Sequence, residues 1–159
     1  MARLRRAGGQ AAPALVARPH AVFVGAVVAS GLLVTGQALG QSVRSVRDGV
    51  YTEAQAERGR VAYFSKCEPC HGYDLQGQST TYPSIGGRAF VGKWQGRTLG
   101  DVFAYIQENM PLGAAGSLDA QAYTDVIAYL LQYTRYPAGA GELPAAPTAL
   151  RAVRVEPLP

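Results

Sequence analysis

Cys67-Glu68-Pro69-Cys70-His71 is the stretch with the most chemistry in it. Two cysteines separated by two residues, with a histidine directly after the second, make the attachment sequence of a covalently bound haem. On one helical turn, positions i, i+3 and i+4 share a face. Cys67, Cys70 and His71 therefore reach one flat ligand together. The thiols suit thioether bonds to the porphyrin vinyl groups, and the imidazole suits the proximal position under the iron. Gly72 follows, and the lack of a Cβ lets the chain turn away close to the porphyrin edge.

A CxxC pair also occurs in redox dithiols and in half zinc sites. The chain has only two cysteines, so no second pair completes a zinc site. No strand pattern surrounds the motif, as a thioredoxin-like βαβ context would require. Thioether formation consumes both thiols, so no disulfide is expected although the leader described below points to export.

A haem held by one histidine has a second face to fill. The chain contains two histidines and two methionines, and His20 and Met1 lie in the first 40 residues. Beyond them stand one histidine, His71, and one methionine, Met110. A lone methionine is ordinarily core filler. Met110, however, precedes Pro111 in a glycine-rich turn, a backbone suited to presenting a side chain. Axial ligation by its sulfur is the favoured reading; core filler and an open iron are the alternatives, with Lys66 and Lys93 as remote ligands.

The elements that must position these groups read as helices. Thr52 and Gln55 have the spacing of a capping box, which predicts a first helix from Glu53 to the haem motif. Its small and apolar positions include Ala56, Gly59, Ala62, Tyr63 and Phe64. Gly59 costs about 1 kcal/mol inside a helix relative to alanine, so a close helix crossing is the reason to keep it. Tyr73 to Gly96 has no sustained period and reads as a long loop wrapped around the ligand. Thr98 caps a second helix over Leu99–Asn109, with Val102, Phe103 and Ile106 facing inward. Met110-Pro111 ends it, because a residue before proline leaves the helical region. Asp119 caps a third helix over Ala120–Thr134, with Ala122, Tyr123, Val126, Ile127, Leu130 and Leu131 as its buried stripe. Residues 41–52 read as a flexible lead-in, and residues 137–159 as a Pro/Ala/Gly-rich tail extended over the surface.

The first 40 residues read as an export signal. Arg3, Arg5, Arg6 and Arg18 precede an apolar run from Ala21 to Thr35, and Ala38-Leu39-Gly40 is a small-x-small cleavage site. The rival reading is an uncleaved membrane anchor, since no charged residue occurs between Arg18 and Arg44. The net charge of +4 comes from this leader; beyond it, 11 basic residues balance 11 acidic ones. That balance argues against nucleic-acid or polybasic membrane binding.

The haem motif, Met110-Pro111 and Asp125-Val126-Ile127-Ala128-Tyr129-Leu130 together resemble class I cytochrome c of the monohaem, bacterial periplasmic type, over Glu53 to Leu131. The resemblance implies an all-α fold with three main helices and long loops around one haem c, over a domain at residues 53–136. It implies that Gly59 and Tyr63 cross Val126 and Tyr129. It implies that the Pro83 carbonyl accepts a hydrogen bond from His71, and that the Trp94 indole serves a haem propionate or else is plain core. Ala115-Gly116 stands where relatives often carry Pro-Gly. The tail, with Tyr136-Pro137-Ala138-Gly139, is similar to bacterial cytochromes that accept electrons from periplasmic dehydrogenases.

The implied function is a one-electron carrier between a dehydrogenase donor and an oxidase or cytochrome acceptor. Its alternative is a haem subunit of a larger dehydrogenase or respiratory complex. A haem peroxidase would need a distal base, and no second histidine stands beyond the leader. The leader reading predicts an intact mass equal to residues 41–159 plus one haem; a mass that retains the leader, in the membrane fraction, supports the anchor.

Overall fold

The computed structural model describes residues 43–158, so the leader with Met1 and His20 lies outside the described residues. Within them the order is β1 (Arg44–Ser45), a 3₁₀ turn (Val46–Asp48), α1 (Glu53–Lys66), α2 (Glu68–His71), α3 (Arg88–Trp94), α4 (Leu99–Asn109), α5 (Ala120–Tyr133), α6 (Pro147–Leu150) and β2 (Val153–Arg154). The fold is all-α, and α1, α4 and α5 are its three long helices.

α1 and α5 cross with their backbones in contact. A Cβ built on Gly59 would lie 1.8 Å from the Asp125 carbonyl oxygen, far inside any van der Waals limit. Glycine is thus the residue that lets the crossing form, at the helix-propensity cost noted above. Around it, the Tyr63 and Tyr129 rings pack at a tilt of 52° with centroids 5.4 Å apart, and Val126 is buried. Arg58 forks onto Asp125 at 2.9 and 3.1 Å and onto Glu142 at 2.9 and 2.7 Å. The guanidinium donates to both carboxylates, and Glu142 is held below the usual carboxylate range by its hydrogen bond from Arg58.

The caps follow the sequence with one exception. Thr98 and Asp101 form a complete capping box on α4, and Asp119 caps α5 through the Ala122 N–H at 2.7 Å. Thr52 accepts from the Gln55 N–H at 3.1 Å, but the Gln55 side chain does not return to Thr52. Its amide instead clamps Leu143 from both sides, donating to the carbonyl at 3.0 Å and accepting from the N–H at 2.7 Å. Gln55 is fully buried, and a buried amide must be paired.

That clamp corrects the expectation of a surface tail at residues 137–159. Leu143, Leu150, Val153 and Val155 are buried, and α6 packs against α4. The expectation of a flexible lead-in at residues 41–52 is corrected too. Val46, Val50 and Tyr51 are core residues, Ser45 and Asp48 cap the 3₁₀ turn, and β1 pairs in parallel with β2 through Arg44↔Val153 and Ser45↔Arg154. The two ends of the described chain thus fold onto each other. Each segment has too few apolar residues to show a period, and they are buried only by contacts distant in sequence.

The loop expected over Tyr73 to Gly96 is also broken by a helix. α3 begins after Gly87, whose φ of +58° suits a residue without Cβ, and it buries Phe90, Val91 and Trp94. Seven residues with Gly92 among them are too short to display a helical period.

The crossing makes a stability prediction with its own control. Gly59→Ala should destabilise by about 3 kcal/mol or more, as overpacking against backbone does. Gly92→Ala, where an added Cβ meets nothing within 4 Å, should stabilise by about 0.5–1 kcal/mol through helix propensity. Thermal melts of both variants check the pair.

Candidate haem-binding site

The motif forms where α1 stops. The Cys67 N–H still bonds to the Tyr63 carbonyl at 2.8 Å, and the Cys67 carbonyl then accepts from the N–H of Cys70 at 3.1 Å and of His71 at 2.9 Å. Pro69 sits in the first turn of α2, where its missing N–H costs nothing. Gly72, at φ +78° and ψ 154°, ends the turn. Cys67, Cys70 and His71 line one cavity of about 380 Å³.

Met110 lines the same cavity, together with Ile85, Phe90, Trp94, Ile106, Val126 and Leu130. The sequence places it at the end of α4 and the structure agrees. Its N–H bonds to Ile106 at 2.8 Å, and its own φ of −130° and ψ of 150° are extended. Trp94 is nearly buried and packs edge-on to Tyr105 at 5.4 Å. Lys66 and Lys93 also line the cavity. The Lys93 ammonium lies 3.5 Å from the centre of the Tyr105 ring and 4.9 Å from that of Trp94, so it is held over aromatic faces.

His71 is buried, and its Nδ1 stands 2.9 Å from the Pro83 carbonyl. A carbonyl only accepts, so Nδ1 carries the proton and the Nε2 lone pair is left for a metal. What holds that carbonyl was not legible as a site feature. Gly77 bridges to Pro83 across the loop, and its N–H bonds to the His71 carbonyl at 2.8 Å. A Cβ on Gly77 would lie 2.3 Å from the Tyr82 carbonyl oxygen, so only glycine allows the two loop segments to approach.

Two tyrosine hydroxyls secure the same loop. Tyr63 donates to the Gly72 carbonyl at 2.6 Å and Tyr133 to the Asp74 carbonyl at 2.7 Å. The usable signal was the choice of tyrosine over phenylalanine on buried stripes, since a buried hydroxyl finds a partner.

Cys67 and Cys70 are both partly buried. Burial, with a smaller contribution from Cys70, pushes the Cys67 thiol up to about 11, so the unmodified protein holds it protonated at neutral pH. Among the described residues no group of three or more His, Cys, Asp or Glu is gathered as a metal cage. The donors present are one imidazole with its Nδ1 engaged, one thioether, two thiols and the Lys66 and Lys93 amines, around a largely apolar cavity. That set fits an iron already held in a porphyrin and attached through both thiols.

Residues 54–130 match the family model described as cytochrome c oxidase, cbb3-type, subunit III. Over 84 residues the chain is 36% identical to the thiosulfate dehydrogenase of Stutzerimonas stutzeri, an alignment covering 49% of this chain and 27% of that protein. The chain thus spans only about a quarter of that relative's length. No solved structure matches. The matched stretch runs from the start of α1 through the haem motif and Met110 to α5. Over that stretch the chain belongs to the c-type cytochromes, proteins that carry a covalently bound haem c.

Proposed function

We propose that this chain is an exported monohaem cytochrome c that passes single electrons between redox proteins. In this reading Cys67 and Cys70 attach the haem and His71 and Met110 ligate its iron. The observation that carries it is the convergence of those four side chains on one apolar cavity. The haem supplies a reversible one-electron couple, and the protein need move no proton.

The chain's own residues set the terms of that couple. Pro83 holds the His71 ring in one tautomer and orientation, which raises the basicity of Nε2. Met110 offers a soft sulfur, which favours the reduced iron and raises the potential. Ile85, Phe90, Val126 and Leu130 keep water from the cavity, which disfavours the additional positive charge of the oxidised iron. His71 and Met110 would together hold the iron, and the haem so held would supply the one-electron couple. In this reading Trp94, which lines the cavity, serves a propionate through its indole N–H.

We read the chain as a carrier and not an enzyme, because beyond the leader no second histidine is present to act as a distal acid or base. A periplasmic location follows from the leader, by cleavage after Gly40 or by retention as an anchor. Among the described residues no helix is long and apolar enough to cross a membrane. Its partners would be a dehydrogenase as donor and an oxidase or second cytochrome as acceptor, met in brief encounters of small area. A second reading has support in the comparisons: both the matching family model and the relative are named for larger redox proteins, which favours a haem subunit of a dehydrogenase or respiratory complex. Size-exclusion of the native exported protein separates a free carrier from such a subunit.

Met110→Ala should abolish the far-red sulfur-to-ferric-iron band and let carbon monoxide bind the reduced protein. It should also lower the potential by on the order of 100 mV, well within the span that axial ligands control. An unchanged band and potential would return Met110 to the core. Cys67→Ala with Cys70→Ala should leave no pigment covalently bound on a denaturing gel and little cooperative melting, because the cavity then lacks its largest apolar occupant.

A further inference from the structure

We propose that Tyr123 is a positioning residue for the electron-transfer centre: its hydroxyl holds the Met110 carbonyl and so keeps the thioether in the cavity. The inference rests on Met110 being an axial ligand, as proposed above.

Met110 sits where its own chain segment holds it least. Its N–H is fixed by the last turn of α4, but Pro111 follows and has no N–H to offer. Residues 112–117 are exposed and carry no charged side chain. Their backbone bonds stay local, from Ala114 to Pro111 at 2.8 Å and from Ser117 to Ala114 at 3.2 Å. The loop by itself therefore gives Met110 no anchor to the core.

The anchor comes from α5. The Tyr123 hydroxyl donates to the Met110 carbonyl at 2.9 Å. Tyr123 is 1% exposed, and its ring packs edge-on to Phe103 of α4 at 5.9 Å. Its N–H bonds to the carbonyl of the cap residue Asp119 at 3.2 Å. The phenol is thus a short rigid strut between two helices, and its tip touches the residue proposed to ligate. Phenylalanine would pack as well; the hydroxyl is needed only for the carbonyl. With N–H and carbonyl both held, the Met110 Cα has one orientation, and the side chain stays where His71 faces the same cavity.

Losing the hydroxyl raises the population in which Met110 has left the cavity. An added ligand for the iron competes with Met110, so its apparent affinity rises by the same factor. One buried hydrogen bond of ordinary strength corresponds to about tenfold.

Imidazole titration of the ferric holoprotein, followed in the far-red band, tests this. Tyr123→Phe should be half-displaced at an imidazole concentration about tenfold lower than the unmutated protein. Phe103→Leu, which loosens the seat of the ring and keeps the hydroxyl, should shift the same way by less. Tyr51→Phe removes a comparable bond, from Tyr51 to the Tyr136 carbonyl at 2.7 Å, away from the cavity; it should lower the melting temperature and leave the imidazole affinity unchanged. Unchanged affinity in both Tyr123→Phe and Phe103→Leu, with a melting loss like that of Tyr51→Phe, overturns the inference and makes Tyr123 merely structural. Met110→Ala in the same titration separates the two proposals. If it keeps the band, the axial assignment itself fails; if it loses the band while Tyr123→Phe behaves as unmutated, only the role of Tyr123 fails.

Discussion

Where α1 passes α5, the absent side chain of Gly59 leaves room for the peptide group that joins Asp125 to Val126. The site depends on that contact. α1 ends at Lys66 and runs directly into the turn that carries Cys67, Cys70 and His71. α5 contributes Val126 and Leu130 to the lining of the same cavity. The crossing therefore joins the helix that leads into the attachment motif to the helix that supplies part of the cavity lining. Tyr63 and Tyr129 pack against each other beside the crossing, and Arg58 adds a fork that joins α1, α5 and the segment around Glu142.

Around that frame, irregular backbone is held by side chains from the helices. A loop at the edge of a cavity cannot satisfy its own carbonyls by a ladder, and each one that is buried needs a donor. Tyrosine provides one at the end of a rigid arm. Tyr63 reaches Gly72, Tyr133 reaches Asp74 and Tyr123 reaches Met110. The Pro83 carbonyl takes the His71 imidazole as its donor. The wrapping segments are thus tied to α1 and α5, and the cavity keeps its shape although much of its rim is loop.

The terminal segments serve the same frame from outside. Gln55 grips Leu143, Tyr51 donates to Tyr136, and β1 lies beside β2. Arg47 donates to the Pro157 carbonyl and Tyr136 to that of Glu156. α6 lies along α4, the helix that ends in Met110.

What the sequence determined by itself is local in kind. One helical turn puts Cys67, Cys70 and His71 on a common face whatever surrounds them, and Thr98, Asp119 and Pro111 mark helix ends through bonds within a few residues. The 3.6-residue period of α5 was legible because fourteen residues repeat it. The resemblance carried by those motifs reached further, to the close crossing at Gly59. Other features waited for the tertiary structure, because their cause is a contact between residues far apart in the chain. Gln55 looks like half a capping box until Leu143, 88 residues on, takes its amide. Residues 41–52 look like a flexible lead-in and residues 137–159 like an extended surface tail because each holds only a few apolar side chains, and those of them that are described become core only against each other and α4. α3 is too short to announce itself, and Gly77 looks like any loop glycine until the Tyr82 carbonyl closes on it. Whether a tyrosine hydroxyl holds a loop or faces water depends on which carbonyl it meets, and only the folded chain brings Met110 to Tyr123.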